Sequence, residues 1–323
     1  MARSLVGRAA LVGAAALAYA ALVEVRWYTL RRFVVPVLPD GAPEVRVLHL
    51  SDLHLTPNQE RKIAWVRALD GLDPHLVVTT GDNIAHLQAL PALLRAYEPL
   101  LARPGAFVLG SNDYFAPRPK NPARYLLADA RLADPAPRHL PVGVMTEAFR
   151  GAGWKDLTNR RDVVVLGSGE DALTVNLVGV DDPHLDRDHF PTTTRGHAQV
   201  GGSGAAGGAP GGRGTLRLGV SHAPYRRVLD AMHEDGADLI LAGHTHGGQL
   251  CVPGWGALVT NCDLDTRRAK GLHGWPSARP DEPGGEASSW LHVSAGLGTS
   301  PYAPVRFACR PEATLLTLVP RVA

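Results

Sequence analysis

The chain has 323 residues, 45% of them hydrophobic and 20% charged, enough to bury the core of one large domain. Its 33 Lys and Arg against 31 Asp and Glu give a formal charge of +2, which leaves no basic field to hold a nucleic acid. Three cysteines, Cys251, Cys262 and Cys309, stand far apart, which excludes a zinc ribbon or a dense disulfide framework.

The first feature along the chain is an uncharged run over residues 9–23, bounded by Arg8 and Glu24. It is apolar all round, and Trp27, Tyr28 and Phe33 follow it, interleaved with Arg26, Arg31 and Arg32. That pattern predicts an anchor over residues 1–35, a single transmembrane helix with an interfacial flank, and hence a place at the cell membrane. Basic residues flank both ends, so the count does not choose a side. Residues 36–44 read as an extended tether, and a catalytic domain is expected over 45–323.

Within that domain one pattern recurs: a short β-rich run followed by a polar cluster. Residues 45–50 precede SDLHL, 76–80 precede GDN, and 106–109 precede GSND; later 216–220 precede SHAP, 239–242 precede GHTHGG, and 291–293 precede SAGLGTS. Apolar residues at helical spacing over 59–69 and 87–101 separate the first three runs, giving βαβαβ character. Reactive groups in open α/β sheets gather outside the carboxyl ends of the strands, so these clusters are expected along one edge. The Gly-rich stretch 201–214 is expected to be a flexible loop between two strands.

Asp52 and His54 are two apart in an extended stretch, so their side chains point the same way and face one ion. Asp82 arrives from the next strand end, and a carboxylate has two oxygens with which to bridge two cations. His222, His244 and His246 add imidazoles, which suit manganese, iron or zinc better than magnesium or calcium. Each piece alone is weak; their serial recurrence after predicted strands points to two divalent metal ions and hydrolytic chemistry.

On the motifs SDLHL at 51–55, TGDN at 80–83, SHAP at 221–224, AGHTHGGQ at 242–249 and SAGLGTS at 294–300, the chain resembles the calcineurin-like metallophosphoesterase superfamily, in particular its membrane-associated bacterial branch. The resemblance covers residues 48–318 and implies an α/β fold, a four-layered α-β-β-α sandwich with a dimetal site at its carboxyl edge. It implies that Asp52, His54 and His246 hold one metal, that His222 and His244 hold the other, and that Asp82 bridges both. The implied reaction is attack of a metal-bridging hydroxide on a phosphomonoester or phosphodiester.

One loop departs from the family pattern of glycine, asparagine, histidine and an acid: residues 110–113 read Gly-Ser-Asn-Asp. The histidine credited with protonating the leaving group is missing. Two alignments are open, with Ser111 or Asn112 as a metal ligand; Asn112 is preferred because an amide oxygen is the better donor to a hard cation. Asp113 then falls near the acid position and is expected to take a catalytic part. Tyr114, Arg118, Lys120, Asp181, Asp182 and His184 are candidates for reaching the cavity, with turn or capping roles equally open for the aspartates. For Arg267 or Arg268, a place near a substrate phosphate and a place in a solvated loop are equally open. An anchored domain points to a lipid-linked or envelope substrate. The alternatives are a UDP-diacylglucosamine pyrophosphatase-type hydrolase and, from another class, a catalytically weakened metal-binding scaffold; no protein partner is inferred.

Overall fold

The computed structural model describes residues 2–119, 121, 136–192 and 214–321. The 45–50 run becomes β2 (Val45–Leu50), following an earlier strand, β1 (Thr29–Leu38). Next come β3 (Leu76–Thr79), β4 (Gly105–Phe107) and β5 (Lys155–Asp156), which pair in parallel in that order beside β2. The last strand, β14 (Glu312–Pro320), lies antiparallel to β2 and parallel to β1, so the first sheet runs β1-β14-β2-β3-β4-β5.

The second sheet contains β6 (Arg160–Leu166), β7 (Leu173–Gly179), β8 (Thr215–Val220), β9 (Leu239–Ala242), β12 (Gly271–Trp275) and β13 (Ser289–Val293). Its order is β12-β13-β9-β8-β7-β6, with the central strands parallel. A small hairpin, β10 (Cys251–Val252) and β11 (Gly256–Ala257), stands apart. Central strands such as LVVT and LILA are buried at every position, as parallel strands covered on both faces must be.

The two sheets face one another across a seam of Val47, Val78 and Val108 against Val175, Leu218 and Leu241. On the outer face of the first lie α2 (Glu60–Arg67), α3 (Leu90–Tyr97) and α5 (Val142–Gly151), whose Ile63, Leu93 and Phe149 join one core cluster with Leu48 and Phe107. On the outer face of the second, α6 (Arg226–Glu234) buries Leu229 and Met232 against Ile240 and Leu291. The layers are α-β-β-α. The expected helices over 59–69 and 87–101 are present but shorter, each passing into a 3-10 turn, Ala68–Leu72 and Leu100–Ala102.

The N-terminal expectation is corrected. Helix α1 (Ala2–Ala18) has 17 residues and passes through a π turn (Tyr19–Val23) into a 3-10 turn (Glu24–Arg26). Among the described residues, no helix is long and apolar enough to cross a membrane. The physical reason is at Glu24: its carboxylate is buried and accepts the amides of Ala308 and Cys309, while Ala20 accepts the amide of Arg306, so the segment is tied to the body of the protein. The residues expected to divide between anchor and tether form β1, which buries Val35 and Val37 in the seam and pairs Arg31 with Glu312. Pro36 is accommodated because β1 is an edge strand with a register shift at that point. The 201–214 loop lies outside the described residues except for Gly214.

Candidate metal centre

The polar clusters meet at the carboxyl ends of the parallel strands. Asp52 and His54 follow β2, Asp82 follows β3, His222 follows β8, and His244 and His246 follow β9. Five of these six turn the chain through the left-handed region, with φ of 49° at Asp52, 42° at His54, 54° at Asp82, 68° at His244 and 50° at His246. Each such turn costs an L-residue about 1–2 kcal/mol, so the sheet edge concentrates strain where the side chains converge. Gly110 passes so close to Asp82 and His222 that a Cβ there would strike both.

His54 Nε2 lies 3.2 Å from His246 Nε2, and His222 Nε2 lies 3.3 Å from His244 Nδ1. At that range two imidazole nitrogens need either a proton or a cation between them, and His222, held charged, has a proton to give His244. A cation with bonds of about 2.1 Å would hold neighbouring donors roughly 3.0–3.4 Å apart, so both pairs fit ligands of one ion each. Asp82 supplies the link: Oδ2 is 3.3 Å from His54 Nε2 and Oδ1 is 3.7 Å from His222 Nε2. Asp52 Oδ1 is 3.7 Å from His246 Nε2 and has no hydrogen-bond partner. The cluster is compatible with two metal ions, with Asp52, His54 and His246 forming one donor group and Asp52, Asp82 and His222 another.

Ring orientations are fixed from behind. His222 Nδ1 donates to the Thr80 carbonyl at 2.7 Å, which turns Nε2 inward, and His244 Nε2 meets the Asn261 carbonyl at 3.2 Å, which turns Nδ1 inward. Burial pulls His54 and His244 down to about 4 and His246 well below its ordinary range. These three are therefore neutral imidazoles at neutral pH, each with one nitrogen free to act as a donor to a cation. Burial pushes Asp52 up to about 6. Asp82 stays below the usual carboxylate range: burial works the other way, but His222, His54 and the Asn112 hydrogen bonds outweigh it. Burial also opposes the charge on His222, yet the carboxylates of Asp82, Asp182 and Asp52 hold it up at about 9.

In the GSND loop, a single helical turn α4 (Ser111–Tyr114), Asn112 contacts the Asp82 carboxylate twice, its backbone amide on Oδ1 and its side-chain amide on Oδ2, each at 2.7 Å. The amide oxygen is the atom Asn112 would offer a cation. Asp113, expected to take a catalytic part, is turned toward backbone amides. It is fully buried, with Oδ2 accepting the amides of Gly110 at 3.0 Å and Asp82 at 2.9 Å and Oδ1 accepting that of Asn83 at 2.8 Å. Burial and the charge of Asp82 push it up to about 7. It is a strut between two loops, and the sequence signal was its place three residues after Gly110, a capping position.

Of the outlying candidates, His184 arrives: its ring centroid is 4.4 Å from that of His244, and Nδ1 lies 3.1 Å from the Tyr225 hydroxyl. Asp182 caps the turn before it by accepting the His184 amide, and Asp181 accepts from the Tyr114 hydroxyl and pairs with Arg187. Arg268 is engaged by Asp265 and the carbonyls of Pro276 and Ser277, and with Arg267 it lines a cavity that contains none of the six clustered residues. Lys120 lies outside the described residues.

Two residues escaped the sequence reading. Lys62, buried on α2, donates to the Leu53 carbonyl at 2.7 Å, and burial pulls it down to about 7. Arg306, fully buried, gathers the carbonyls of Ala295, Gly296 and Gly298 and reaches to 3.3 Å from His246 Nδ1. It explains SAGLGTS: that loop is strapped to SDLHL by the Leu297 and Gly298 amides on Ser51 and Asp52. Neither residue belongs to a periodic pattern.

The sequence model of the calcineurin-like phosphoesterase family matches residues 45–248. The chain is 25% identical over 301 residues to Phosphodiesterase YaeI of Escherichia coli (strain K12), covering 92% of this chain and 90% of that protein. Among solved structures, TT1561 of Thermus thermophilus is matched at 12% identity and a TM-score of 0.38, over 79% of this chain and 91% of that one. The NAD nucleotidase NadN of Haemophilus influenzae is matched at 12% identity and a TM-score of 0.39, over 79% and 46%.

Proposed function

The chain belongs to the calcineurin-like phosphoesterase family, and on that premise we propose that it is a metal-dependent phosphoric ester hydrolase acting on a phosphodiester. The observation that carries this reading is Asp82, whose two oxygens face two separate imidazole pairs. The phosphodiesterase name of the E. coli relative supports the diester over the monoester. Two divalent ions of manganese, iron or zinc, when bound, would neutralise phosphoryl oxygens and acidify a water for in-line displacement.

The chain's own residues hold and orient. Asp52, His54 and His246 would hold one ion, His222 and His244 the other, and Asp82 both, with Asn112 beside it. The Thr80 and Asn261 carbonyls keep the imidazoles of His222 and His244 aimed. Asp113 is committed to backbone amides, so the GSND loop offers no proton donor to the leaving group, which favours groups that depart as stable anions. An anhydride-cleaving, UDP-diacylglucosamine pyrophosphatase-type reaction is the variant of the same reading that uses such a leaving group.

Leu11, Val12 and Leu17 of α1 are exposed together with Arg8, and Trp27 and Trp255 are exposed as well. They support a lipid-linked substrate met at a membrane surface, with α1 lying on that surface rather than crossing it. The test is elemental analysis beside turnover. Metal-stripped protein reconstituted with manganese should carry two ions per chain and hydrolyse bis(p-nitrophenyl) phosphate, and Asp82→Ala should lose both ions. One ion or none in the wild type overturns the reading; two ions without turnover on any ester or anhydride returns it to the scaffold alternative.

A further inference from the structure

Behind the metal ligands, in the seam between the sheets, lie two histidines that the metal centre does not use. His49 on β2 and His292 on β13 are both fully buried, with their Nδ1 atoms 2.9 Å apart. The other nitrogen of His49, Nε2, is 3.1 Å from the Thr80 hydroxyl. Thr80 donates to the Ser51 hydroxyl at 2.6 Å, and Ser51 donates to Asp52 Oδ2.

The last acceptor fixes the direction of every bond, because an ionised carboxylate only accepts. Ser51 spends its proton on Asp52, so Thr80 spends its own on Ser51, and the Thr80 oxygen accepts from His49 Nε2–H. His49 is neutral, since burial holds it at about 3, and it therefore turns a bare Nδ1 to His292, which donates from Nδ1–H. The chain of bonds ends on His292 Nε2, a buried nitrogen with no hydrogen-bond partner.

Nothing in sheet packing asks for this arrangement. The seam around it is apolar, mostly valine and leucine with Trp290 and with Phe33 against the His292 ring, and an unpaired buried nitrogen costs about 1–3 kcal/mol. Gly243 gives a second sign: a Cβ there would strike the Ser51 and Thr80 hydroxyls and Asp52 Oδ2, so the backbone before His244 lies directly on these groups. The next amide, His244 N–H, is the other donor to Asp52 Oδ2, at 2.9 Å. Oδ2 is thus fully engaged, and Oδ1 is the oxygen turned toward the imidazoles of the metal centre.

We propose that His292, His49, Thr80 and Ser51 form a positioning relay that locks Asp52, so that two residues buried between the sheets set the affinity of the cation site of Asp52, His54 and His246 without touching the cation. The proposal rests on the metal-centre reading given above.

Manganese titrated calorimetrically into the metal-stripped full chain tests it with Thr80→Val, which keeps the shape and removes the hydroxyl, and Thr80→Ser, which restores the hydroxyl. Thr80→Val should weaken one of the two sites about 10-fold or more while Thr80→Ser binds within about threefold of the wild type, the lower end of what supporting groups around a metal contribute. His49→Gln, which keeps a donor at the Nε2 position, should behave like Thr80→Ser. Wild-type affinity at both sites in Thr80→Val, or no recovery in Thr80→Ser, overturns the relay alone. A wild type that binds no manganese overturns the metal centre, and the relay with it. Nitrogen-15 NMR of the wild-type histidines needs no variant: His49 should carry its proton on Nε2 and His292 on Nδ1, and the opposite tautomer on His49 refutes the relay.

Discussion

Replacing Asp113 by asparagine distinguishes a strut from a proton donor. In the native loop Oδ2 accepts two backbone amides, from Gly110 and Asp82, and Oδ1 accepts that of Asn83. An asparagine has one oxygen, so whichever way its amide turns, its NH2 faces at least one buried backbone N–H. An amide left without an acceptor costs about 1–3 kcal/mol, toward the low end here because the substitution also removes a buried charge. For a chain of this size that lowers Tm by roughly 1.5–4 °C, read by calorimetry. Because one carboxylate holds the amides of Gly110, Asp82 and Asn83 together, loosening it disturbs Asp82 for every substrate alike, and turnover should fall by the same factor for an alkyl and a nitrophenyl diester. A general acid behaves differently: its loss slows the alkyl ester by about 10²–10⁴ and spares the nitrophenyl ester, whose leaving group needs no proton. An unchanged Tm together with loss confined to the alkyl ester refutes the strut.

Asn112→Ala should weaken manganese binding by at least about 10-fold while Ser111→Ala stays near wild type, and the reverse order moves the ligand to the serine. Stability should fall in acid: His49 is folded at about 3 against 6.5 when free, so below pH 6.5 the unfolded chain binds more protons and folding weakens as pH drops. Urea unfolding across pH 6 to 4 should show His49→Gln losing about 1.4 kcal/mol per pH unit less than the wild type, and identical slopes would show that His49 is not buried neutral. Deleting residues 2–18 should leave a folded protein by gel filtration and circular dichroism. Deleting 1–35 removes most of β1 and should cause aggregation, so a monomeric product from the longer deletion would contradict the edge pairing.

What the sequence made legible follows from how parallel sheets work. Leu76–Thr79 and Leu239–Ala242 are buried on both faces, so they read as apolar runs, and the residues after them had to be polar for another reason. Asp52, His54, Asp82, His222, His244 and His246 were visible for that reason. Edge strands give no such signal: Thr29–Leu38 carries Arg31, Arg32 and Pro36 because one side is open, and beside an alanine-rich helix it passes for an interfacial flank. Asp113 is ambiguous in the sequence because a carboxylate near a metal loop has two physical uses, and local spacing does not show its hydrogen-bond partners. His49, Lys62 and Arg306 act through neighbours brought from distant segments, so local spacing carries no trace of them.

The pairing of the first strand with the last bears on how the protein is made. Arg31 meets Glu312 across 281 positions of sequence, and β14 must insert between β1 and β2 to complete the sheet. During synthesis, β2, β3 and β4 emerge with their helices and are able to assemble early, yet the flank of Val45–Leu50 remains an open row of amides and carbonyls until Glu312–Pro320, more than 260 positions later, has left the ribosome. An open strand edge beside apolar side chains is a template for a second molecule. Non-local closure of this kind is also slow. Yield should therefore depend on how long nascent chains wait, improving with slower translation, lower temperature or a holding chaperone, while a chain cut before Glu312 would leave two strands without their shared partner.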